Sequence, residues 1–367
     1  MECAHSIAEI GYSEWRDSLY KKAVSKRIPL AGGIELTFRC NNNCIHCYCN
    51  LPASDKEEIK KEMDTETVKK IIDEITDQGC LWLFLTGGEP LLRRDFKDIW
   101  VHAKRKGLLL TLFTNGTLID DEMADFLSEW RPFSVEITLY GATETTYEAI
   151  TRIKGSFDRC VNGIERLIKR NIPLKLKTMA MRENLEEIGV IEDFARNRAI
   201  SFRFDPLINS RLDMGRSPLS QRLNPEEIIR LDVMDVERRK AWEDFCSEFK
   251  GLSTERSDRL YDCGAGTDSF HIDPYGNLMI CIMARRQRYN LRIGSFKEGW
   301  YNFIKEIKDR VISPENRCRS CDIRFLCGNC PGWSQTENGD DESPVEYLCN
   351  VAHKRAEVFI KKEEVIK

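Results

Sequence analysis

Short apolar runs and helical repeats alternate along the first two thirds of the chain. Two segments repeat their apolar residues every three or four positions, as amphipathic helices do. They are Val68, Ile71, Ile72 and Ile75, and Phe96, Ile99, Trp100 and Ala103. Six runs of strand length lie before, between and after such segments: Gly33–Arg39, Leu81–Thr86, Leu108–Thr114, Ser134–Tyr140, Pro173–Ala180 and Ser201–Pro206. This alternation predicts a parallel sheet or a partial barrel.

Several of the predicted strands have one polar face. Successive residues of a strand point to opposite sides, which sorts the polar residues into shared faces. These faces hold Glu35, Thr37 and Arg39; Glu136 and Thr138; Lys175 and Lys177; and Arg203 and Asp205. A closed barrel core is filled with branched apolar residues instead. An exposed edge strand would explain one or two such faces, so four of them indicate a wet interior that binds a polar ligand.

The last third has a different composition. Residues 207–260 are polar and partly helical, for example over Pro225–Arg239, and from Tyr261 onward glycines, turns and cysteines dominate. The run from Asp273 to Asn277 predicts a turn between short strands. We expect an N-terminal segment over 1–30, a partial barrel over 31–215, a helical bridge over 216–260 and a cysteine-rich domain over 261–367.

Composition narrows the function classes. Apolar residues make up 41% and charged residues 32% of the 367 residues, which suits a globular protein with a sizeable core. The net charge is −4 and no half of the chain is strongly basic, so nucleic acid is not the expected partner. No run of 18 apolar residues predicts a membrane span, and the start lacks the order of a secretion signal. We expect a cytoplasmic protein.

Fifteen cysteines are too many for the core of a cytosolic protein. Disulfides are rare in a reducing compartment, so clustered cysteines there indicate metal ligands or catalysis. One group lies at 40–49 and a second at 263–349. The isolated Cys3, Cys80, Cys160 and Cys246 are instead expected to be small buried residues or thiols without a ligand role.

The first group has the spacing C-x3-C-x2-C at Cys40, Cys44 and Cys47, directly after the first predicted strand. Three thiolates on one loop hold three corners of a [4Fe–4S] cube, which usually has four cysteine ligands. One iron is then left open for a substrate to coordinate. Cys49 is a rival fourth ligand, although its closeness to Cys47 makes this awkward. A zinc site completed by His46 or Cys49 is the alternative.

These cysteines and the run Leu85-Thr86-Gly87-Gly88-Glu89-Pro90 at the end of the second strand resemble the radical S-adenosylmethionine (SAM) superfamily. The resemblance implies that Cys40, Cys44 and Cys47 hold a [4Fe–4S] cluster that binds SAM. Gly87, Gly88, Glu89 and Pro90 would contact the amino group of its methionine moiety. Glycines allow close backbone approach and a carboxylate suits an ammonium group. A one-electron donor such as flavodoxin or ferredoxin is implied as a partner.

Further residues match the superfamily less closely. Asn115 lies in a turn that ends the third strand, and this turn alone could be purely structural. Glu136, Thr138 and Lys177 are expected to face the ribose or carboxylate of SAM, with lining of the barrel interior as the alternative. His46 and Tyr48 are expected to shield the cluster rather than to transfer protons.

The second group comprises Cys263, Cys281, Cys318, Cys321, Cys327, Cys330 and Cys349. One or two structural zinc ions are the expectation from these residues alone. The group also resembles the SPASM extension of peptide and protein maturases, which carries up to two auxiliary [4Fe–4S] clusters. The resemblance is imperfect, because the last spacing in its four-cysteine run is x2 instead of the usual x3.

That resemblance divides the seven cysteines into two sets. Cys318, Cys321, Cys327 and Cys349 would hold one cluster, and Cys263, Cys281 and Cys330 the other. The second set lacks a fourth ligand. Cys246 or a group other than cysteine completes it, or one iron is open to substrate.

The two resemblances together imply the fold class α/β, a partial (βα)6 TIM-like barrel with a small cysteine-rich α+β C-terminal extension. They imply a radical SAM oxidoreductase or maturase that cleaves SAM reductively to a 5′-deoxyadenosyl radical, which abstracts hydrogen from a substrate. A ribosomal peptide or protein is the leading substrate.

Other functions stay open. A tetrapyrrole-modifying enzyme acting on haem precursors is the main alternative. Sulfatase maturation is less favoured, since Ile282 stands where those enzymes have an acidic residue. An iron–sulfur electron carrier or a zinc-stabilised binding module is the alternative without enzymatic activity. The polar strand faces and the Gly-Gly-Glu-Pro turn argue against both.

Overall fold

The structure is a computed structural model that describes residues 11–49, 51–249 and 258–360. The strands are β1 (Ala31–Thr37), β2 (Arg39–Cys40), β3 (Leu51–Pro52), β4 (Trp82–Gly87), β5 (Leu109–Thr114), β6 (Ser134–Thr138), β7 (Leu174–Met179), β8 (Ser201–Asp205), β9 (Ser269–Ile272), β10 (Asn277–Met279) and β11 (Tyr289–Asn290). The helices are α1 (Tyr12–Lys26), α2 (Lys56–Lys61), α3 (Thr65–Asp77), α4 (Phe96–Arg105), α5 (Asp121–Glu129), α6 (Glu144–Thr151), α7 (Ser156–Lys169), α8 (Ile188–Arg196), α9 (Pro225–Met234), α10 (Val236–Phe249), α11 (Phe296–Glu298), α12 (Lys305–Lys308), α13 (Pro331–Glu337) and α14 (Glu346–Phe359). No helix among these residues is long and apolar enough to span a bilayer.

One mostly parallel sheet organises the molecule. Its strand order over the described residues is β11-β10-β9-β1-β4-β5-β6-β7-β8. The six strands from β1 to β8 in this order are parallel, as the sequence predicts. Helices alternate with them along the chain, so the α/β fold class is confirmed.

The C-terminal region joins this sheet directly. Strand β9 pairs in parallel with β1, placing His271 opposite Gly33, and β10 and β11 continue antiparallel beyond it. The predicted turn at Asp273–Asn277 does connect two short strands, β9 and β10. No local pattern indicated that this hairpin would extend the barrel sheet, because its pairing partner, β1, lies more than 200 residues earlier in the chain.

Both predicted helical stripes are buried against the sheet, in α3 and α4. Helix α3 begins after Asp64, whose carboxylate accepts a hydrogen bond from the Thr67 amide at 2.8 Å. This cap satisfies one of the backbone donors left unpaired at a helix start. The stripe residues therefore lie where the 3.6-residue period places them.

The first predicted strand and the predicted helix after residue 224 end earlier than expected. The predicted strand Gly33–Arg39 ends at Thr37, after a register shift between Glu35 and Thr37, and β2 then pairs separately with β3. The predicted helix Pro225–Arg239 breaks at Asp235, which has extended backbone angles and whose carboxylate accepts from the Arg238 amide at 2.5 Å. An aspartate that caps the next helix competes with continuation of the first.

The expectation of a wet polar face is wrong for β1. Glu35, Thr37 and Arg39 are buried. Arg39 donates to Glu62 at 2.8 and 3.1 Å, and Thr37 also donates to Glu62. Buried polar groups need such partners, and here other parts of the chain supply them. The polar faces of β6 to β8 remain partly accessible.

A glycine pair in β1 makes room for aromatic rings. A Cβ built on Gly32 would lie 2.1 Å from the ring of Phe270, and one on Gly33 would lie 2.1 Å from the ring of Phe84. The Gly33 Cβ would also lie 2.8 Å from Nδ1 of His271. These glycines let the barrel and the C-terminal region pack closely across β1.

We predict that Gly33→Ala destabilises the fold by about 1–3 kcal/mol, because a methyl group there overlaps Phe84 and His271. Gly189→Ala is the matched control. A Cβ on Gly189 in α8 meets nothing within 4 Å, so alanine should leave stability unchanged or raise it by up to about 1 kcal/mol. Chemical denaturation of both variants checks this. Equal stability of the two would contradict the packing described here.

Candidate iron–sulfur and S-adenosylmethionine site

The loop that carries Cys40, Cys44 and Cys47 lies at the carboxyl end of β1, where parallel αβ folds place their chemistry. It is held by backbone hydrogen bonds to the end of α6: Asn43 N donates to Thr151 O at 2.9 Å and Ile45 N to Ile150 O at 3.0 Å. No disulfide joins the described cysteines. The loop is therefore shaped by the fold, and none of its three thiols is part of a disulfide.

The electrostatics of the Cys40 and Cys44 thiols call for a cation. Burial, followed by the charge of Glu89, raises the pKa of Cys40 to about 12, and burial with the neighbouring thiols raises the pKa of Cys44 well above its ordinary value. The protein alone therefore does not stabilise thiolates here. A metal centre held by these cysteines would supply the missing positive charge and displace the protons.

Two side chains of the same loop have buried polar atoms without a hydrogen-bond partner among the described residues. Both polar side-chain atoms of Asn42 are buried without a hydrogen bond, and so is Nδ1 of His46. Orphaned buried polar atoms are rare and call for an explanation. Three clustered thiols with unpartnered polar atoms around them fit a cluster and a polar cofactor.

The Gly87–Gly88 backbone approaches the end of β1 very closely. Gly88 N donates to Thr37 O at 2.7 Å, and Glu89 N donates to Arg39 O at 2.8 Å. A Cβ on Gly87, which has φ +139°, would lie 2.1 Å from Thr37 O, and one on Gly88 would lie 2.3 Å from Arg39 O. Only glycines permit this approach, which brings the Gly-Gly-Glu-Pro turn beside the cysteine loop.

Glu89 is fully buried, and its carboxylate is the central hydrogen-bond acceptor of that turn. Its carboxylate accepts from Leu91 N at 3.0 Å, from Thr114 Oγ1 at 2.8 Å and from Asn115 N at 2.8 Å. Burial is the largest influence on this carboxyl and raises its pKa to about 7. The side chain therefore fastens the turn to the end of β5. Pro90 begins the short helical turn that follows.

Asn115 connects the end of β5 to the cysteine loop. Its Nδ2 donates to Asn41 Oδ1 at 2.9 Å and lies 3.7 Å from the Cys40 sulfur. Its Oδ1 accepts from Thr117, whose hydroxyl also accepts from Asn41 at 2.8 Å. The sequence singled out Asn115 in the turn that Thr114 begins. Asn41 and Thr117 were missed, since turn residues of these types are common and only the fold brings them together.

Three other predicted residues lie on one face of β6 and β7. Glu136 accepts from Arg203 at 3.0 Å and lies 3.7 Å from the Lys177 ammonium. That ammonium stacks over the Phe113 ring, 3.7 Å from its centroid, and burial lowers the pKa of Lys177 to about 8. Thr138 is the neighbour of Lys177 in the sheet register. This face presents paired charges to the barrel interior.

The aromatic and polar neighbours of the cysteine loop are enclosed. The His46 ring packs edge-on against Tyr140 at 4.8 Å, and burial lowers the pKa of His46 to about 4. Burial also raises the pKa of Tyr48 well above its ordinary value. Neither group is disposed to exchange protons near neutral pH. Cys49 is buried beside Cys47, and its hydrogen bond with Cys47 and burial both raise its pKa.

The structure brings the C-terminal cysteines together as two sets. Cys318, Cys321, Cys327 and Cys349 line one cavity, which Cys330 also borders. Burial, and after it the charges of the set's own thiols, raises the pKa of Cys327 to about 11. In the second set, burial and then the charges of Cys330 and Cys263 raise the pKa of Cys281. Burial and then the charge of Cys263 raise the pKa of Cys330. Lys308 donates to the Cys263 carbonyl and to Tyr261 O and so positions the third member of this set.

The other cysteines lie apart from both sets. Cys246 in α10 packs with Leu326, Ala352 and Phe359, so the structure does not bring it to Cys263, Cys281 and Cys330. Cys80 and Cys160 are buried core residues, as expected, and Cys3 lies outside the described residues. Within the part of the chain that the structure describes, no three His, Cys, Asp or Glu side chains converge on a ready-made site for a single metal ion.

We predict that Glu89→Gln changes how stability depends on pH. A folded-state pKa near 7 lies above the ordinary 4.5, so the protonated carboxyl stabilises the fold fully below about pH 4.5. That contribution is lost as pH rises through about 7. Relative to wild type, the glutamine variant should gain up to about 3 kcal/mol between pH 5 and pH 8. Thermal midpoints of the apoproteins measure it, and parallel profiles would contradict the raised pKa.

Comparison with known proteins agrees with this geometry. The sequence profile of the radical SAM superfamily matches residues 34–195. An AdoMet-dependent heme synthase from Nitratidesulfovibrio vulgaris is 30% identical, over 88% of this chain and 92% of its own length. Mycofactocin maturase MftC from Mycolicibacterium smegmatis is 28% identical, over 82% of this chain and 78% of its own.

A solved structure shares the fold across nearly the whole chain. It is SuiB from Streptococcus suis bound to the precursor peptide SuiA, with a TM-score of 0.68, 16% identity and coverage of 95% of this chain and 83% of SuiB. The superfamily profile and the heme synthase, which is similar over 92% of its own length, indicate the same family, and the fold shared with SuiB agrees with it. The chain is an enzyme that uses SAM and a [4Fe–4S] cluster, and it belongs to the radical SAM superfamily.

Proposed function

We propose that Cys40, Cys44 and Cys47 ligate the cluster that binds SAM, and that the enzyme modifies a ribosomal peptide or protein. The observation that carries the first part is the cysteine loop itself: three thiols beside the Gly87–Pro90 turn, with the Asn42 amide and His46 Nδ1 buried and unpartnered. When bound, the cluster supplies the electron that splits SAM into methionine and a 5′-deoxyadenosyl radical, which abstracts hydrogen from the substrate.

The residues of this chain would hold and orient the polar cofactor. Gly87 and Gly88 allow backbone approach, while Glu89 and Asn115 keep the turn and the cysteine loop at fixed positions. Lys177 and Glu136, with Thr138 beside them, offer charges of both signs to the carboxylate and ribose. His46 and Tyr140 close the loop against water, which protects radical chemistry from side reactions.

The two C-terminal sets would hold auxiliary [4Fe–4S] clusters. Cys318, Cys321, Cys327 and Cys349 supply the four thiolates that such a cube usually takes. Cys263, Cys281 and Cys330 supply three, and the position of Cys246 in α10 favours a ligand other than cysteine, or an open iron, at the fourth corner. A flavodoxin or ferredoxin would deliver electrons. A cytoplasmic setting suits the two clusters of cysteines, because clustered cysteines in a reducing compartment act as ligands rather than as disulfides.

A peptide or protein substrate is supported by the maturase relative, MftC, which aligns with most of this chain. A tetrapyrrole substrate is the second candidate. The observation that favours it is the heme synthase, which is similar over 92% of its length. Both substrates would use the same cofactor site. The choice between the two substrate classes therefore depends on which molecule the barrel interior and the C-terminal region bind.

We predict that anaerobically reconstituted protein contains about twelve irons per chain, as three cubes require. Replacing Cys40, Cys44 and Cys47 together by alanine should remove about four irons and abolish 5′-deoxyadenosine release with dithionite and SAM. The double variant Cys318→Ala/Cys321→Ala should also lose about four irons and keep this release. Iron analysis and chromatography measure both quantities.

The control for these variants is Cys80→Ala, which removes a buried thiol outside every proposed set. It should keep all irons and full 5′-deoxyadenosine release. Release by the triple variant, or zinc without sulfide in the wild-type protein, would contradict the cluster assignment.

The substrate class is tested by incubating the enzyme with two kinds of compound. Peptides encoded beside its gene represent the first class, and iron porphyrins with propionate side chains represent the second. Mass spectrometry should show hydrogen loss from a peptide that depends on SAM. A modified porphyrin together with unchanged peptides would overturn the peptide proposal in favour of the second candidate.

A further inference from the structure

A carboxylate lies completely buried in the middle of β1. Glu35 is 0% exposed. Its Oε2 accepts from Nη2 of Arg285 at 2.6 Å and lies 3.1 Å from Nε2 of His271, while its Oε1 has no partner among the described residues. Both partners come from the C-terminal region, so among the described residues it is this region that neutralises the charge in the barrel strand. Leaving such a buried charge unpaired strongly destabilises the fold.

Arg285 is also part of the turn that carries Cys281. Its Nε donates to Ile282 O at 2.6 Å, and within the same turn Ala284 N donates to the Cys281 sulfur at 3.3 Å. The Arg285 amide donates to Gln335 Oε1 at 2.8 Å. Gln335 belongs to α13, which begins directly after Cys330. One arginine therefore connects two cysteines of the same set with β1.

The pair also adjoins the first cysteine loop. The Arg285 guanidinium lies 5.3 Å from the centre of the Phe38 ring, two residues before Cys40. Phe38 lies between β1 and β2, so the pair borders the segment that leads into the cysteine loop.

We propose that Glu35 and Arg285 are a positioning pair that fixes the Cys281 turn relative to the loop of Cys40, Cys44 and Cys47. The pair sets the relative position and electrostatic surroundings of the auxiliary site. This rests on the proposed function, in which Cys263, Cys281 and Cys330 hold an auxiliary cluster. His271 supports the carboxylate from β9, in the space that Gly33 leaves open.

The test compares four variants of the full chain, reconstituted anaerobically. Arg285→Met removes the charge. Arg285→Lys keeps it without the planar fork that reaches both Glu35 and Ile282. The double variant Arg285→Met/Glu35→Gln removes both charges. Arg292→Met is the control, because exposed Arg292 also bridges the two regions, from Tyr275 O to Lys61 O, but donates to backbone carbonyls and not to a buried carboxylate.

The readouts are the rate at which a chelator removes iron and the paramagnetic signal of the reduced protein that SAM does not perturb. Arg285→Met should lose iron about tenfold faster and shift the potential of that signal, with Arg285→Lys intermediate. Adding Glu35→Gln should reverse at least half of the increase in the rate of iron loss, because the unpaired carboxylate is gone. Arg292→Met should stay within about twofold of wild type.

Two results would overturn the pair. One is equal behaviour of Arg285→Met and Arg292→Met, and the other is no rescue by Glu35→Gln. Wild-type protein with only about four irons would instead contradict the auxiliary clusters of the proposed function. The thermal midpoints of the same apoproteins would then test the pair by itself. Midpoints in the order expected for iron retention support the positioning role of the pair, and equal midpoints overturn it.

Discussion

The approach of the Gly87–Gly88 backbone to the end of β1 is the contact on which the site depends. At these distances neither residue tolerates a side chain. The contact places the Glu89 carboxylate within reach of the Thr114 hydroxyl and the Asn115 amide, and Asn115 in turn reaches the cysteine loop. Three consecutive strand ends, β1, β4 and β5, are therefore tied together by main-chain contact and one buried carboxylate.

The sequence predicted the parallel strands and the buried helix faces well, because both follow from local periodicity. Val68, Ile71, Ile72 and Ile75 lie on one helix face whatever else the chain does. The cysteine spacing was equally local, and so was the Gly-Gly-Glu-Pro turn. The ends of elements were less accurate, as at Asp235, where a capping side chain outweighed the helical pattern.

The errors concern contacts between distant parts of the chain. Glu35 was expected to line a wet interior, and period two did place it on the correct face. Nothing local indicated that Arg285, 250 residues later, would seal that face. The grouping of Asn41, Asn115 and Thr117 was hidden for the same reason. Pattern reasoning gives the side on which a residue lies, and only the tertiary fold gives its partner.

The pairing of β9 with β1 also bears on how the chain is made. During synthesis, one edge of β1 stays without its neighbour until residues 269–272 have emerged, long after β4 to β8 are available. An unpaired strand edge is a template for association with other chains. At translation speeds of about 5–20 residues per second this edge stays open for many seconds. The nascent enzyme therefore has an interval in which a chaperone could protect it, and in which its first cysteine loop is already complete while the C-terminal region has yet to cover β1.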